Sequence, residues 1–133
     1  MTIITIGGEK GGVGKSTVAT NVSVVLAQAG KDVLLINTDA QDTIGSWAAI
    51  RAEDHANKHV VHTASLHGKT VSKEILDFSE RYDVVVVDAA GNDSVEQRQA
   101  MAVSDALIIP IRPTAFDTWT LDTVEDLVGQ PRA

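Results

Sequence analysis

The sequence contains no cysteine, which excludes disulfides, thiolate metal sites and cysteine-ligated iron–sulfur clusters. It also lacks any apolar run near the roughly 20 residues that a membrane span requires, and its first residues show no signal-peptide pattern. No repeat or low-complexity segment interrupts it. These absences predict a cytoplasmic protein with no membrane partner.

Basic residues are also scarce. Eleven Lys and Arg face eighteen Asp and Glu, which gives a formal net charge of −7. A chain this acidic binds nucleic acid or anionic membranes poorly unless its basic residues cluster. Here they are scattered, among them Lys58, Lys69, Lys73, Arg81, Arg98 and Arg112. Non-specific DNA binding is therefore not supported by the residues present.

Apolar runs and segments of helical periodicity alternate along the 133 residues, of which 44% are hydrophobic and 22% charged. This length and composition indicate one globular domain. The runs predict five strands, at residues 1–6, 33–36, 60–61, 84–87 and 107–111. The periodic segments predict helices at residues 15–29, 44–51, 71–78, 93–103 and 121–128, the fourth with Asp93 and Glu96 as a capping box.

The expected strands are apolar throughout and do not alternate with polar residues. The run from Val84 to Val87, four consecutive valines, is too apolar for a strand with one face in water. Alternating strands and helices of this kind predict an α/β fold, with a mainly parallel sheet covered by helices on both faces. In such sheets ligands bind beyond the carboxyl ends of the strands.

A glycine-rich segment, Gly8–Thr17, directly follows the first strand and reads GEKGGVGKST. We take Gly8 as the first glycine of the phosphate-binding motif G-x-x-x-x-G-K-[ST], which ends at Gly14, Lys15 and Ser16. The N–H groups of such a loop and of the following helix point at phosphates. Lys15 is expected to reach the β- and γ-phosphates, and the Ser16 hydroxyl to bind Mg²⁺. A merely flexible turn is the alternative, which the flanking strand and helix disfavour.

Two acidic residues follow other strands. Asp39 comes after the second strand, where it could orient water or support Mg²⁺, although position alone fits a helix cap equally well. Asp88 ends the run of valines, where an acidic residue paired with a phosphate loop usually serves the metal. The alternative for Asp88 is a capping residue in a turn.

Together these residues resemble the ParA/MinD family of ATPases. The segment from Lys10 to Thr17 looks like the family's deviant Walker A motif, whose hallmark is the additional lysine, here Lys10. The resemblance covers essentially the whole chain. It continues through residues 33–41, similar to a motif usually written D-x-D-P-Q, through residues 84–91 as Walker B, and through residues 109–114.

The resemblance implies a three-layer P-loop NTPase fold and a site for ATP and Mg²⁺ between two subunits. Three catalytic residues are implied. Lys10 would reach the partner's phosphates, Asp39 would orient the attacking water, and Lys15 is the third. Asp88 would hold Mg²⁺ through its water shell, Asp39 could add a contact of the same kind, and Ser16 would bind the ion directly. The implied nucleotide-binding residues are Gly11, Gly12, Val13, Gly14, Lys15, Ser16 and Thr17.

The sequence departs from the family pattern in three respects. Asn37 stands where the D-x-D-P-Q motif has its first aspartate, so weaker Mg²⁺ binding or slower turnover is expected. Ala40 replaces the usual proline, which costs only local rigidity. The third departure is the length. Residues 1–133 are expected to be one P-loop ATPase domain that is incomplete at its C-terminus and lacks much of the family's adenine pocket and basic DNA-binding surface. Residues 107–109 would then lie on an exposed apolar edge.

The function that this resemblance implies is that of a small plasmid-type ParA, an ATP-hydrolysing dimer switch for plasmid or chromosome segregation. A homodimer formed on ATP and a ParB-like centromere-binding adaptor are the expected partners, and nucleoid association is expected only where DNA binding is retained. One alternative, favoured by Asn37, is a catalytically weak nucleotide-binding or interaction module. Another is a MinD-like positioning ATPase.

Overall fold

The computed structural model describes residues 1–8, 15–39, 43–52, 59–89, 91 and 94–110. Strands and helices alternate along these residues, as predicted. The elements are β1 (Thr2–Ile6), α1 (Lys15–Gln28), β2 (Val33–Asn37), α2 (Thr43–Ala52), β3 (His62–Ser65), α3 (Val71–Ser79), β4 (Val84–Asp88), α4 (Val95–Val103) and β5 (Ala106–Ile108). The strands form one sheet in the order β3-β2-β4-β1-β5, and every pairing is parallel. None of the four helices within the described residues has the length and hydropathy needed to cross a membrane.

Strand β4 explains why the sequence carries four consecutive valines. Successive side chains of a strand point to opposite faces of the sheet. Val84 and Val86 pack into the core on one face, and Val85 and Val87 pack into the core on the other. All five residues of β4 are buried, because helices cover the sheet on both sides.

The two cores belong to two pairs of helices. Ala19 of α1 and Ile44 of α2 are buried in the core with Val86, whereas Ile75 of α3 and Ala100 of α4 are buried in the core with Val85. The chain therefore forms three layers, with α1 and α2 on one face and α3 and α4 on the other. This confirms the predicted α/β arrangement.

The strands of the sheet end at the same level. Asp88, the last residue of β4, pairs in register with Ile6 on one side and with Asn37 on the other. The segments that leave β1, β2 and β4 therefore start side by side at one edge of the sheet. This edge is where the sequence predicts the site.

Three elements differ from their predicted positions. Strand β3 is His62–Ser65 and not residues 60–61; Val60 is 65% exposed, and the more polar segment after it pairs with the edge of β2. Helix α4 is capped by Ser94, whose side chain accepts a hydrogen bond from the Gln97 backbone. The capping box with Asp93 as the cap residue is therefore wrong.

Strand β5 ends at Ile108, before the predicted residue 111. It lies at one edge of the described sheet, and Ile108 is 36% exposed there. The expected edge position of residues 107–109 is confirmed to this extent. The helix predicted at residues 121–128 lies outside the described residues.

Candidate nucleotide-binding site

Lys15 opens α1 and places a positive charge inside the protein. Its side chain is only 9% exposed, and its Nζ donates a hydrogen bond of 2.6 Å to the carbonyl oxygen of Ala89. A buried ammonium group needs such partners because burial removes its hydration. The bond places the amine at the end of β4, where the predicted metal-side residue lies.

Ser16 and Asp88 meet at the same edge of the sheet. The Ser16 hydroxyl donates a hydrogen bond of 2.7 Å to Oδ2 of Asp88. Asp88 is 2% exposed. The first turn of α1 and the end of β4 are thus joined by the two side chains that the sequence assigned to Mg²⁺.

The environment of Asp88 opposes its ionisation. Burial raises the pKa of this carboxyl group above its ordinary value, and the charge of Asp39 adds to the effect. The hydrogen bond from Ser16 and the charge of Lys15 lower the pKa in part. A cation at this point would relieve the cost of the buried carboxylate.

Asn37 shapes the turn that carries Asp39. Its side-chain nitrogen donates to the Asp39 carbonyl oxygen at 2.9 Å, and its side-chain oxygen accepts from the Asp39 backbone N–H at 3.2 Å. An ionised carboxylate can only accept hydrogen bonds, so an aspartate here could not make both contacts. The amide therefore has a structural role that the sequence did not reveal.

Thr38 fastens this turn to the neighbouring strand. Its backbone N–H and its hydroxyl both donate to the carbonyl oxygen of Asp88, at 3.2 and 3.1 Å. Asp39 follows directly, and its charge acts on the Asp88 carboxyl group. The structure thus brings together Lys15, Ser16, Asp39 and Asp88.

Gly8 has a role other than the one predicted. It lies six residues before Gly14, whereas the motif spacing is five, so Glu9 stands at the first-glycine position. The Gly8 backbone N–H donates to Oε1 of Gln97 at 3.1 Å, and its φ of +142° is one that favours glycine. Gly8 therefore anchors the entry to the loop.

Gln97 is the residue that sequence reasoning missed. It is fully buried on α4, on the helix face that also carries the buried Ala100 and Val103. A glutamine within an otherwise apolar stripe was the available signal. Its partner Gly8 is 89 positions away in the chain, so the sequence pattern could not identify the contact.

Of the other predicted residues, only Thr17 is among the described ones. It lies exposed in the first turn of α1. Lys10, the loop residues 11–14 and Ala40 lie outside the described residues.

The donor set fits Mg²⁺. The Ser16 hydroxyl and the Asp88 carboxylate are hard oxygen ligands, and Mg²⁺ usually takes only one or two protein ligands together with water and phosphate oxygens. Within the described part of the chain, no group of three or more His, Asp or Glu side chains forms a metal site. The residues therefore suit a metal ion that arrives with a phosphate.

Comparisons with known proteins identify the family and the fold. A family model described as an AAA domain matches residues 1–79. The chain is 31% identical, over an alignment of 135 residues, to the chromosome-partitioning ATPase Soj of Thermus thermophilus. The match covers 82% of this chain and 54% of Soj. It is also 31% identical to the maintenance of carboxysome distribution protein A of Halothiobacillus neapolitanus, covering 92% of this chain and 56% of that protein. The chain thus spans little more than half of these relatives.

Solved structures share the fold. A septum site-determining protein MinD from Pyrococcus horikoshii, complexed with Mg-ADP, superposes with a TM-score of 0.69 at 20% identity, over 98% of this chain and 67% of that one. A plasmid partition protein from Borrelia burgdorferi bound to AMPPNP gives a TM-score of 0.72 at 24% identity, over 96% and 69%. The fold is the predicted P-loop NTPase fold, and the chain belongs to the ParA/MinD family of P-loop ATPases.

Proposed function

We propose that the chain binds Mg-ATP at this edge of the sheet, hydrolyses it, and acts as an ATP-dependent dimer switch in DNA partition. The single observation that carries the proposal is the convergence of Lys15, Ser16 and Asp88, which are joined through the end of β4 at hydrogen-bond distances. The nucleotide-bound relatives of the same fold, with Mg-ADP and with AMPPNP, support a nucleotide as the ligand.

The phosphates would occupy the loop between β1 and α1. We assign their binding to the N–H groups of residues 11–14, with Thr17 bonding the α-phosphate. The Lys15 amine, which donates to the Ala89 carbonyl oxygen, would turn to the β- and γ-phosphates and stabilise the charge that develops there. The N-terminus of α1 adds a favourable dipole.

Mg²⁺ would be held by the Ser16 hydroxyl and, through water, by Asp88, with Asp39 as a further contact through water. When bound, it neutralises charge on the β- and γ-phosphate oxygens. The chain itself contributes the side-chain oxygens of Ser16 and Asp88 as ligands, and the 2.7 Å hydrogen bond between them already orients both. The low exposure of Asp88 strengthens its electrostatic interaction with a cation.

Asp39 is the residue we assign to the attacking water. The two hydrogen bonds between the Asn37 side chain and the Asp39 backbone hold Asp39 at the carboxyl end of β2, and Thr38 ties the same turn to β4. A fixed carboxylate can orient a water molecule and accept its proton, which typically contributes 10²- to 10⁴-fold to a rate.

Lys10 would act in the dimer, by reaching the phosphates bound to the partner subunit. Changing Lys10 to alanine is expected to leave Mg-ATP binding by the monomer intact and to remove the ATP-dependent dimer. Sedimentation velocity with and without a non-hydrolysable ATP analogue measures this. An equally stable ATP-driven dimer of the variant would refute the role assigned to Lys10.

The biological role is proposed from the relatives, which include a chromosome-partitioning ATPase and a carboxysome distribution protein. A ParB-like adaptor would stimulate hydrolysis in the cytoplasm, and the scattered basic residues give no reason to place a DNA-binding surface on this part of the chain. Phosphate release from Mg-ATP, with and without DNA and adaptor, tests the switch. Turnover that never rises, with binding intact, would contradict it.

Asn37 favours a second candidate, a nucleotide-binding module of low turnover. An amide at this position carries no charge toward Mg²⁺ and is already engaged with the Asp39 backbone. The two candidates differ in hydrolysis but not in binding.

Changing Asn37 to aspartate is expected to tighten Mg²⁺ binding in the presence of nucleotide, because a second carboxylate would stand opposite Asp88. The same change is expected to lower stability without the cation, by about 0.5–1.5 kcal/mol, because the half-buried Asp39 carbonyl oxygen loses its hydrogen-bond donor. Magnesium titrations followed by phosphate release and by thermal unfolding measure both effects. Lower Mg²⁺ affinity in the variant would contradict the assignment of this position.

A further inference from the structure

A groove of about 420 Å³ lies between α3 and α4, on the face of the sheet opposite α1. The Gln99 side chain, which lines it, joins the two helices. Its oxygen accepts the Ser72 N–H at 2.9 Å, and its nitrogen donates to the Lys69 carbonyl oxygen at 2.7 Å. These two bonds fix the start of α3 against α4, so the walls of the groove are held in place.

Apolar side chains form part of both walls. Leu76 of α3 lines the groove and is 47% exposed, while Val103 of α4 lines it and is 8% exposed. A single exposed leucine is ordinary on a protein surface, but this one borders a concavity that other apolar groups share. A large aliphatic side chain seated there would remove Leu76 from water, which favours binding.

The charged side chains that line the groove are both basic. Lys73 stands on the α3 wall and Arg98 on the α4 wall, and both are exposed. Of the described residues that line the groove, none is acidic. The Lys73 amine forms no hydrogen bond or ion pair within the described part of the chain, and the neighbouring Glu74 accepts a hydrogen bond from the Thr70 hydroxyl. Arg98 has five N–H donors, so it can bind a carboxylate in addition to the contacts that it already makes.

We propose that this groove binds an acidic peptide segment of a partner protein. One large aliphatic side chain of the segment packs against Leu76, and its carboxylates pair with Lys73 on one wall and Arg98 on the other. Charge complementarity selects an acidic partner, because the groove is basic in a chain whose net charge is −7. A peptide suits the site better than a small carboxylic acid does, since both cations are exposed and small-molecule sites enclose most of their ligand.

The groove is separate from the nucleotide-binding residues, because Lys15, Ser16 and Asp88 do not line it. The inference therefore goes beyond the proposed function and does not depend on it. Peptide binding is expected with or without Mg-ATP, and a chain that failed to bind nucleotide would still be expected to bind the peptide.

An NMR titration of the backbone amides, with the full chain and a synthetic peptide, tests the proposal. The probe is a short peptide of aspartate and glutamate with one central leucine. It is expected to shift the amides around the groove in a saturable manner, and to bind several-fold more weakly when the ionic strength rises from about 0.01 to 0.15 M. The same peptide with serine for leucine, or with lysine for its acids, is expected to bind at least about fivefold more weakly. Absence of saturable shifts around the groove would overturn the proposal.

Two variants of the groove are matched by two controls on the other face of the sheet. Lys73→Glu and Leu76→Ser are each expected to weaken binding of the acidic peptide by about fivefold or more. Lys31→Glu changes the charge of an exposed lysine by the same amount, and Val25→Ser removes a 62% exposed apolar side chain of α1. Both controls are expected to bind as the wild type does. Equal losses in the controls would trace the effect to net charge or general hydrophobicity and contradict the site.

Other occupants of the groove would give different results. Octanoate that shifted the same amides and bound as tightly as the peptide would assign the groove to small amphiphilic acids. Shifts of these amides that depend on protein concentration, without any peptide, would assign it to a second copy of the chain. Either result would overturn the proposal, and the amide spectrum of each variant establishes that it is folded.

Discussion

Replacing Lys15 with alanine is expected to weaken Mg-ATP binding by a factor of about 30 or more. The ammonium group is buried at the start of α1 and lies at the end of β4, so no other described lysine can take its place beside the loop. Truncating one partner of a buried charge pair costs roughly 2–5 kcal/mol, which corresponds to at least about a 30-fold loss of affinity. Titration calorimetry with Mg-ATP measures the difference.

Two further variants make this result specific. Lys31→Ala removes an exposed lysine just beyond the other end of α1 and is expected to bind as the wild type does. Lys15→Arg keeps the charge but replaces a compact ammonium with a planar fork, and is expected to bind weakly. Because Lys15→Ala also leaves the buried Ala89 carbonyl oxygen without this donor, its unfolding must be measured in parallel. Unchanged affinity in a folded Lys15→Ala variant would contradict the site.

Replacing Asp88 with asparagine is expected to lower activity and to raise stability. Mg²⁺-dependent turnover should fall by about 10²-fold or more, since one charged metal-side contact is lost. At a pH above the raised pKa of Asp88 the variant should be more stable than the wild type, because an amide can still accept the hydrogen bond from Ser16 without carrying a buried charge. Phosphate release and chemical unfolding measure the two effects.

The pH dependence of this stability difference has a definite sign. Burial raises the pKa of Asp88 in the folded protein above its ordinary value of 3.8, so the folded state binds this proton more tightly than the unfolded state does. Its favourable contribution is complete below 3.8 and is lost as the pH rises through the raised pKa. The advantage of Asp88→Asn should therefore appear across that interval and persist at higher pH.

Asp77→Asn is the control for this experiment, because Asp77 is an exposed carboxylate on α3. It removes one negative charge from the chain without touching the site. Its stability difference from the wild type should not follow the pattern of Asp88→Asn. If both variants gained the same stability over the same pH interval, the gain would come from net charge and not from the buried position of Asp88.

Local patterns made most of the fold predictable. The run Val84–Val87 identified a strand buried on both faces, and the two valine pairs do pack into separate cores. Strand β3 was misplaced because its residues are polar or small and lie at a sheet edge, where pairing with β2 decides the position. The Ser94 cap was missed because neighbouring Asp93 satisfies the same local rule.

The site was predictable to the extent that its residues belong to contiguous motifs. Lys15 and Ser16 end a phosphate loop, and Asp88 ends a strand, so each could be assigned before the sheet was known. The amide of Asn37 was seen only as a missing charge, because its bonds to the Asp39 backbone depend on the turn. Gln97 was not seen at all, since its contact with Gly8 requires the assembled sheet and α4.

Lys15, Ser16 and Asp88 are expected to form one site for Mg²⁺ and a nucleotide. Titration calorimetry of the wild-type chain with ATP, in the presence of Mg²⁺ and then of a chelator, measures this. We expect saturable binding at one site per chain that weakens when the metal is removed. Absence of binding under both conditions, or binding of equal strength with and without Mg²⁺, would contradict it.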